Sequence, residues 1–308
     1  MMEPVTADDT TAGDSSAGGS LTAVFERHRP VLLGVAYRML GRVADAEDVV
    51  QDAWLRWASA APDAVRQPRA YLVRITTRLA IDRLRQAQTR REAYVGPWLP
   101  EPLETDVHVT PVPDTAERVV LTESVSLAVL VVLESLSPLE RAVFVLREAF
   151  GFPYAEIATA LDRGEPAVRQ LAGRARRHVA ERRPRFEVDP AQQRDLTERF
   201  LEAAGRGDLD ALLRLLAPDA RLVGDGGGKA KAPLRTLTSA DNVGRFLAAI
   251  AHEGAAMEFQ LLELNGAPAV LATLDGRAHT VLQLDVADGL VQCVYIVANP
   301  EKVQHLRQ

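Results

Sequence analysis

The chain has one cysteine, Cys293, so no internal disulfide can form. That residue sits in an apolar, strand-like run, the setting of a buried and unreactive thiol. The longest apolar runs, such as residues 126–133, fall well short of the roughly 20 residues needed to cross a bilayer. The first 20 residues lack the basic-then-apolar pattern of a secretion signal. A cytoplasmic protein that makes no membrane contact is therefore expected. No metal-ligand spacing is present. The glycine run at 226–229 is not a nucleotide loop: no Gly lies five residues before Gly228, and Lys229 is followed by Ala230 instead of Ser or Thr. Neither a metal nor a cofactor is expected.

What is present is an ordinary globular composition of 308 residues, 47% hydrophobic and 25% charged, long enough for two or three domains. A net charge of -6 argues against a free-standing DNA binder, because duplex phosphates repel a net anion. The charge is unevenly spread, however. Residues 66–91 hold eight Arg against the single acid Asp82, and residues 169–185 hold seven Arg against Glu181. Two basic islands lie in an acidic chain.

Residues 1–20 are rich in Thr, Asp, Gly and Ser and read as a disordered tail. Helical periodicity over 21–92 predicts an all-helical first domain, with helices near 21–40 (ended by Gly41), 45–58 and 68–88. Five prolines in 93–114 exclude regular helix and mark a linker. Helical pattern resumes over 115–185, where Ser137, Pro138 and Glu140 form an N-cap, first-turn proline and capping box. From 190 to 302 the pattern is α+β. Helices are expected at 191–204, 209–216 and 242–251, a glycine-rich loop at 224–228, and strands at 257–264, 269–274, 279–286 and 290–297, with turns at Asn265-Gly266 and Asp288-Gly289.

Three stretches carry chemistry. On the helix from Asp45, the residues Ala46, Val49, Val50, Ala53, Trp54 and Trp57 share one side, and Asp45, Asp48 and Asp52 line the other. From Pro68, a second helix turns Leu72, Ile75 and Leu79 inward and presents Arg74, Arg78 and Arg85 in a row, with Arg83 and Thr76 close by; such a row suits a nucleic-acid backbone. Residues 154–161, the turn Asp162-Arg163-Gly164, and residues 165–177 form a helix-turn-helix pattern. Its second helix turns Val168, Leu171, Ala175 and Val179 inward and leaves Arg169, Gln170, Gly173, Arg174 and Arg177 outward. There Arg can read guanine and Gln adenine.

The segments DAEDVVQDAWLRW, YLVRITTRLAIDRLR and SPLERAVFVLREAFGFPYAEIATAL with AVRQLAGRARR resemble regions 2 and 4 of the extracytoplasmic-function (ECF) sigma factors, over about residues 21–182. The linker sequence YVGPWLPEPL, the motif Asp225-Gly226-Gly227-Gly228-Lys229 and the motif Asn299-Pro300-Glu301-Lys302 look like the SigJ-like subgroup, whose C-terminal domain is SnoaL-like. The resemblance implies two all-α sigma domains followed by an α+β cone-shaped domain. It also implies promoter-specific transcription initiation, with core RNA polymerase (β′ clamp helices and β flap) and promoter DNA as partners.

Carried over, polymerase binding falls on Asp45, Glu47, Asp48, Gln51 and Asp52. Minus-10 recognition falls on the 60–67 loop and on Arg74, Arg78, Arg83 and Arg85, and minus-35 recognition on Arg169, Gln170, Arg174 and Arg177. A regulatory contact is expected between Trp98, Leu99, Pro100, Glu101 and Pro102 of the linker and the two C-terminal motifs, with residues 225–229 packing near 98–103. A glycine-rich loop admits close approach, and a Trp-Pro-rich linker is poorly left in water. The free protein is expected to be a monomer, with room for an unknown small-molecule ligand in the third domain. SnoaL-like relatives include isomerases and cyclases that use Asp and His, but Asp225, His252, Glu258 and His279 form no catalytic constellation, and no enzymatic activity is expected. Two other readings stay open: a one-component helix-turn-helix regulator with a ligand-sensing domain, and an isomerase or cyclase with appended helices.

Overall fold

A computed structural model describes residues 14–60, 65–91, 93–104, 126–182, 189–251 and 257–306. Helix α1 spans Asp14–Leu40. It begins inside the segment expected to be a disordered tail, because extending a helix already nucleated by packing costs far less than starting one. Residues 1–13 lie outside the described residues. Gly41 closes α1 at φ +70°, its amide donating to Tyr37 O at 2.7 Å, a left-handed C-terminal stop. Helices α2 (Val43–Ala58) and α3 (Pro68–Arg91) complete the first domain.

After the linker come α4 (Leu127–Leu133) and α5 (Pro138–Phe144), which runs on through a wider π-turn at Val145–Ala149. The Ser137–Glu140 capping box is formed as expected. Helices α6 (Tyr154–Leu161) and α7 (Glu165–Arg182) flank Asp162, which adopts φ +55° at the end of α6. The buried apolar residues of α1–α3 and α4–α7 form one continuous core. The two helical domains are thus packed on each other, α3 lying against α5 and α6.

The third domain holds α8 (Pro190–Arg206), α9 (Leu209–Leu215), β1 (Leu216–Asp225), β2 (Leu237–Thr238), α10 (Ala240–Ile250), β3 (Glu258–Leu264), β4 (Ala267–Leu274), β5 (Arg277–Ala287), β6 (Leu290–Val297) and α11 (Pro300–Val303). Its six-stranded sheet has the order β2-β1-β6-β5-β4-β3. Only β1–β6 is parallel among these pairs. Both expected turns are tight: Asn265 and Gly266, like Asp288 and Gly289, have positive φ, the type I′ signature of two-residue hairpins. Strands β1 and β2 are absent from the sequence reading, and Gly224 and Asp225, expected in a loop, end β1. Register shifts in β1–β6, β4–β5 and β5–β6 bend the sheet.

One face of this curved sheet, with Leu222, Leu284, Val294 and Ile296, packs on α8–α10 through Leu196, Phe200, Leu212, Val243 and Leu247. The other, with Leu271, Val281, Cys293, Tyr295 and Val297, is covered by Leu99 of the linker, Leu127 and Ala128 of α4, and Val303 and Leu306. The expected order of two helical domains and an α+β cone is the one observed. Among the described residues no helix is long and apolar enough to cross a membrane. Cys293 is a free, buried thiol, pushed up to about 12 chiefly by burial.

Candidate nucleic-acid and polymerase interfaces

On α2, Ala46, Val49, Val50, Ala53 and Trp57 are buried, while Trp54 is half-buried, edge-on to Phe25 at 5.0 Å. Glu47, Asp48, Gln51 and Asp52 are exposed and Asp45 half-buried. Leu55, one helical turn beyond, is 59% exposed. An acidic face with an apolar side chain at its end is suited to a basic partner that also buries carbon.

The arginines of α3 divide. Arg74 lies over the Tyr71 ring at 5.3 Å, and Arg85 makes an exposed pair with Asp82 at 3.4 Å. Arg78 is exposed, yet its Nε donates to Ala160 O of α6 at 2.9 Å. Arg83 departs from the expected DNA-facing row: it pairs with Asp48 at 2.5 Å and Asp45 at 3.5 Å. At 100° per residue it lies about 140° round the axis from Arg78, which turns it toward α2. Thr76, also expected near that row, is fully buried. Of the 60–67 loop, residues 61–64 lie outside the described residues.

On α7, Val168, Ala172 and Ala175 are buried, with Leu171 and Val179 packed beside them. Arg169, Gln170, Arg174 and Arg177 are exposed. Arg169 pairs with Glu165 at 2.5 Å and covers the Tyr154 ring at 4.6 Å; Arg174 pairs with Glu140 at 3.3 Å. Arg177 donates from Nε to Gly173 O at 3.4 Å. Pairs of this kind with solvent-exposed arginines are worth about 0–1 kcal/mol, so they are broken at little cost. A side chain at Gly173 would meet nothing within 4 Å, leaving that surface open.

The linker is held from both sides. Asp225, fully buried, accepts from Tyr94 Oη at 2.6 Å and from Leu99 N at 2.8 Å, and pairs with buried Lys302 at 2.6 Å. Lys302 also donates to Leu99 O at 2.5 Å and stands 4.0 Å from the Trp98 ring centre. Asn299 donates to Tyr94 Oη at 2.8 Å and caps α11. Gly227 must be glycine: it has φ +57°, and an added Cβ would come within 2.3 Å of Asn299 Nδ2. Gly226 accepts from Lys229 N and Ala230 N, Gly228 lies under Val95, and Lys229 pairs with Glu301 across the surface.

On the opposite side, Glu101 N donates to Gly41 O at 2.8 Å and Glu101 Oε2 accepts from Val43 N at 3.0 Å. Trp98 approaches Gly41 so closely that a Cβ there would meet it at 2.7 Å. Burial of Tyr94, helped by the Asp225 carboxylate, pushes its phenol up. Burial likewise raises Glu101, against the lowering effect of the Val43 amide, His305, Arg42 and Lys302.

Residues 24–90 match the model described as Sigma-70 region 2, and residues 126–179 the one described as Sigma-70, region 4. The ECF RNA polymerase sigma factor SigJ of Mycobacterium tuberculosis is 41% identical over 290 residues, covering 90% of this chain and 91% of SigJ. The chain belongs to the ECF RNA polymerase sigma factors. Probable sigma factor SigI of the same organism is 37% identical, covering 93% of this chain and 96% of its own length. The crystal structure of SigJ matches with a TM-score of 0.69 and 37% identity, over 94% of this chain and 98% of that one. The likeness thus includes the third domain as well as the two sigma regions.

Several residues that join the sigma regions carry no signal in the periodicity. Buried Arg141 of region 4 donates to Met39 O of region 2 at 2.7 Å, to Leu133 O at 2.8 Å, and pairs with Glu134. Arg38 and Arg69 of region 2 cover the Phe150 and Phe152 rings of region 4 at 4.8 and 4.9 Å. Burial lowers Arg38 to about 10. Tyr37 donates to Glu101 O at 2.7 Å and accepts from Asn265 of the third domain at 2.8 Å. His305 reaches Glu101 at 3.2 Å and Pro102 O at 2.9 Å. Of these residues, the sequence singles out Glu101 and Pro102 in the linker motif and Asn265 in the turn dipeptide Asn265-Gly266.

Of the candidates for retained catalysis, Asp225 is occupied as described and Glu258 is exposed. His279 is bonded to Thr280 Oγ1 at 2.8 Å, and His252 lies outside the described residues. Among the described residues there is no group of three His, Cys, Asp or Glu fit to hold a metal.

Proposed function

We propose that this sigma factor rests in a closed state and that its third domain restrains initiation by gripping the linker between regions 2 and 4. The observation that carries this is the double hold on residues 94–103, by Asp225 and Lys302 on one side and by Gly41 and Val43 on the other. A sigma factor reads two separated promoter elements, so regions 2 and 4 must part. Parting them uncovers a shared core in which each apolar side chain is worth about 1.5–3 kcal/mol. Polymerase contacts offset that cost.

In the open state Asp45, Glu47, Asp48, Gln51 and Asp52 engage the β′ clamp helices, and region 4 meets the β flap. Arg83 is then an internal partner of the acidic face, released when the clamp supplies its own cations. Arg74, Arg78 and Arg85 face the minus-10 element, and Arg169, Gln170, Arg174 and Arg177 the minus-35 element. Duplex phosphates reward these basic islands once polymerase carries the rest of the affinity. The third domain acts through contact and has no catalytic role.

The test is promoter-dependent transcription with purified core polymerase, comparing the parent chain with the double variant Asp225→Asn, Lys302→Met. The variant keeps the shape of the pair and removes its charge. Higher core affinity and more transcript are expected; unchanged or lower activity in a folded variant overturns the restraining role. Asp48→Arg with Asp52→Arg should abolish core binding, and retained binding would overturn the α2 assignment.

A further inference from the structure

Where region 4 closes on α3, two cavities adjoin. The outer one, about 430 Å³, is lined by Arg56 and Ser59 at the end of α2, Ala60, and Tyr71, Arg74, Ile75 and Arg78 of α3. The inner one, about 340 Å³, shares Tyr71 and Arg74 and continues over Val73, Leu146, Phe152, Ile157 and Ala160. Among the described residues none of the three outer guanidiniums is ion-paired with a carboxylate. Arg78 is steadied by its bond to Ala160 O, and Arg74 by stacking on Tyr71. Glu156 is the carboxylate at the rim of the inner cavity, with Gln67 and Thr159 beside it.

We propose that this cleft binds a nucleoside polyphosphate, its phosphates on Arg56, Arg74 and Arg78 and its base in the apolar recess behind Tyr71. Three arginines lining one cavity match a multiply charged phosphate chain, and Arg is the side chain suited to that geometry. A planar base fits a recess walled by Tyr71, Phe152 and Ile157, where stacking tolerates any base. Glu156, Gln67 and Thr159 offer acceptors and donors to the base edge, and the charge of Glu156 keeps the phosphates at the arginine end. The combined volume falls within the range of small-molecule sites, about 300–1,000 Å³.

The inner cavity takes more than half its wall from region 4 and exists only while that region is seated on α3. A ligand that binds one state alone shifts the population toward it. The nucleotide therefore holds the factor closed and occupies arginines assigned above to the minus-10 element. This consequence and the base recess rest on the closed-state reading; phosphate binding at the outer arginines does not.

Calorimetric titration of the full chain with GDP and, separately, with inorganic pyrophosphate tests the site. GDP should bind at least about tenfold more tightly than pyrophosphate, the difference being the stacked base. Arg56→Ala with Arg74→Ala should remove binding of both. Ala155→Trp, at an exposed position on the recess rim, should bring GDP down to the affinity of pyrophosphate and leave pyrophosphate binding unchanged, which also reports an intact fold. Thr159→Trp is the second variant should the first fail to fold. Absence of GDP binding, equal affinity of the parent chain for both ligands, GDP binding that survives the arginine double variant, or GDP affinity that the tryptophan variants leave unchanged overturns the proposal. Transcription by the unliganded factor is a separate measurement, so loss of the sigma reading and loss of the nucleotide site remain distinguishable.

Discussion

Where region 4 meets region 2, the contact is chiefly apolar, and its arginines rest on rings and backbone carbonyls: Arg38 and Arg69 lie over phenylalanine rings, exposed Arg78 and buried Arg141 on carbonyls. Where the third domain meets the linker, the centre is the buried pair Asp225–Lys302, wrapped by Tyr94, Trp98 and Asn299. An apolar contact is non-directional and tolerates sliding. A buried ion pair adds little net stability but fixes one geometry, because each charge is costly without the other. The first contact therefore supplies cohesion to the closed state and the second fixes where the linker runs.

Four single substitutions and one double variant break or sharpen that contrast. Phe152→Ala should cost about 3–5 kcal/mol in urea denaturation, with faster amide exchange in α3. Lys302→Ala should cost a similar ~3–5 kcal/mol by stranding Asp225, yet most of that loss should be recovered in the Asp225→Asn, Lys302→Met double variant. No second polar change should rescue Phe152→Ala. If the two sites respond alike, the distinction between cohesion and positioning fails.

Glu101→Gln gives a smaller, pH-dependent effect. Burial holds the Glu101 carboxyl above its ordinary value of 4.5 in the folded state, so the folded chain binds its proton more tightly than the unfolded one. The contribution is present below the ordinary value and is lost as pH rises through the raised one. Urea midpoints of the parent should decline across that window relative to those of Glu101→Gln; parallel profiles would count against this reading. The smallest effect on stability belongs to Arg174→Ala, below about 1 kcal/mol because Arg174 itself is exposed in its pair with half-buried Glu140. Its effect on minus-35 affinity should reach about 1–3 kcal/mol if it contacts a base, measured by competition between matched and mutated promoters.

Much of the fold was legible because its signals are local. The buried face of α2, the Ser137 cap, the helix-turn-helix and the hairpin turns each depend on residues within a few positions of one another. Strand β1 was not legible. Pro218 interrupts its pattern, and its parallel partner β6 lies some 70 residues away, joined by pairs such as Leu222 with Val294. The candidate site divides the same way. Arg169, Gln170, Arg174 and Arg177 lie outward as periodicity requires, but the partner of Arg83 belongs to another helix.

The sequence by itself determined which residues turn inward on each helix, where helices start and stop, and that two basic islands and one acidic face exist, since these follow from helical geometry and capping chemistry. Only the tertiary structure decided which charges are left for a partner. It gave Arg83 to Asp45 and Asp48, Arg78 to Ala160, and Lys302 to Asp225, and it covered the free face of the third-domain sheet with Leu99 and α4. Those outcomes depend on segments brought together by packing from up to 228 positions apart, as with Tyr37 and Asn265, and no local pattern encodes which distant group will satisfy a buried charge.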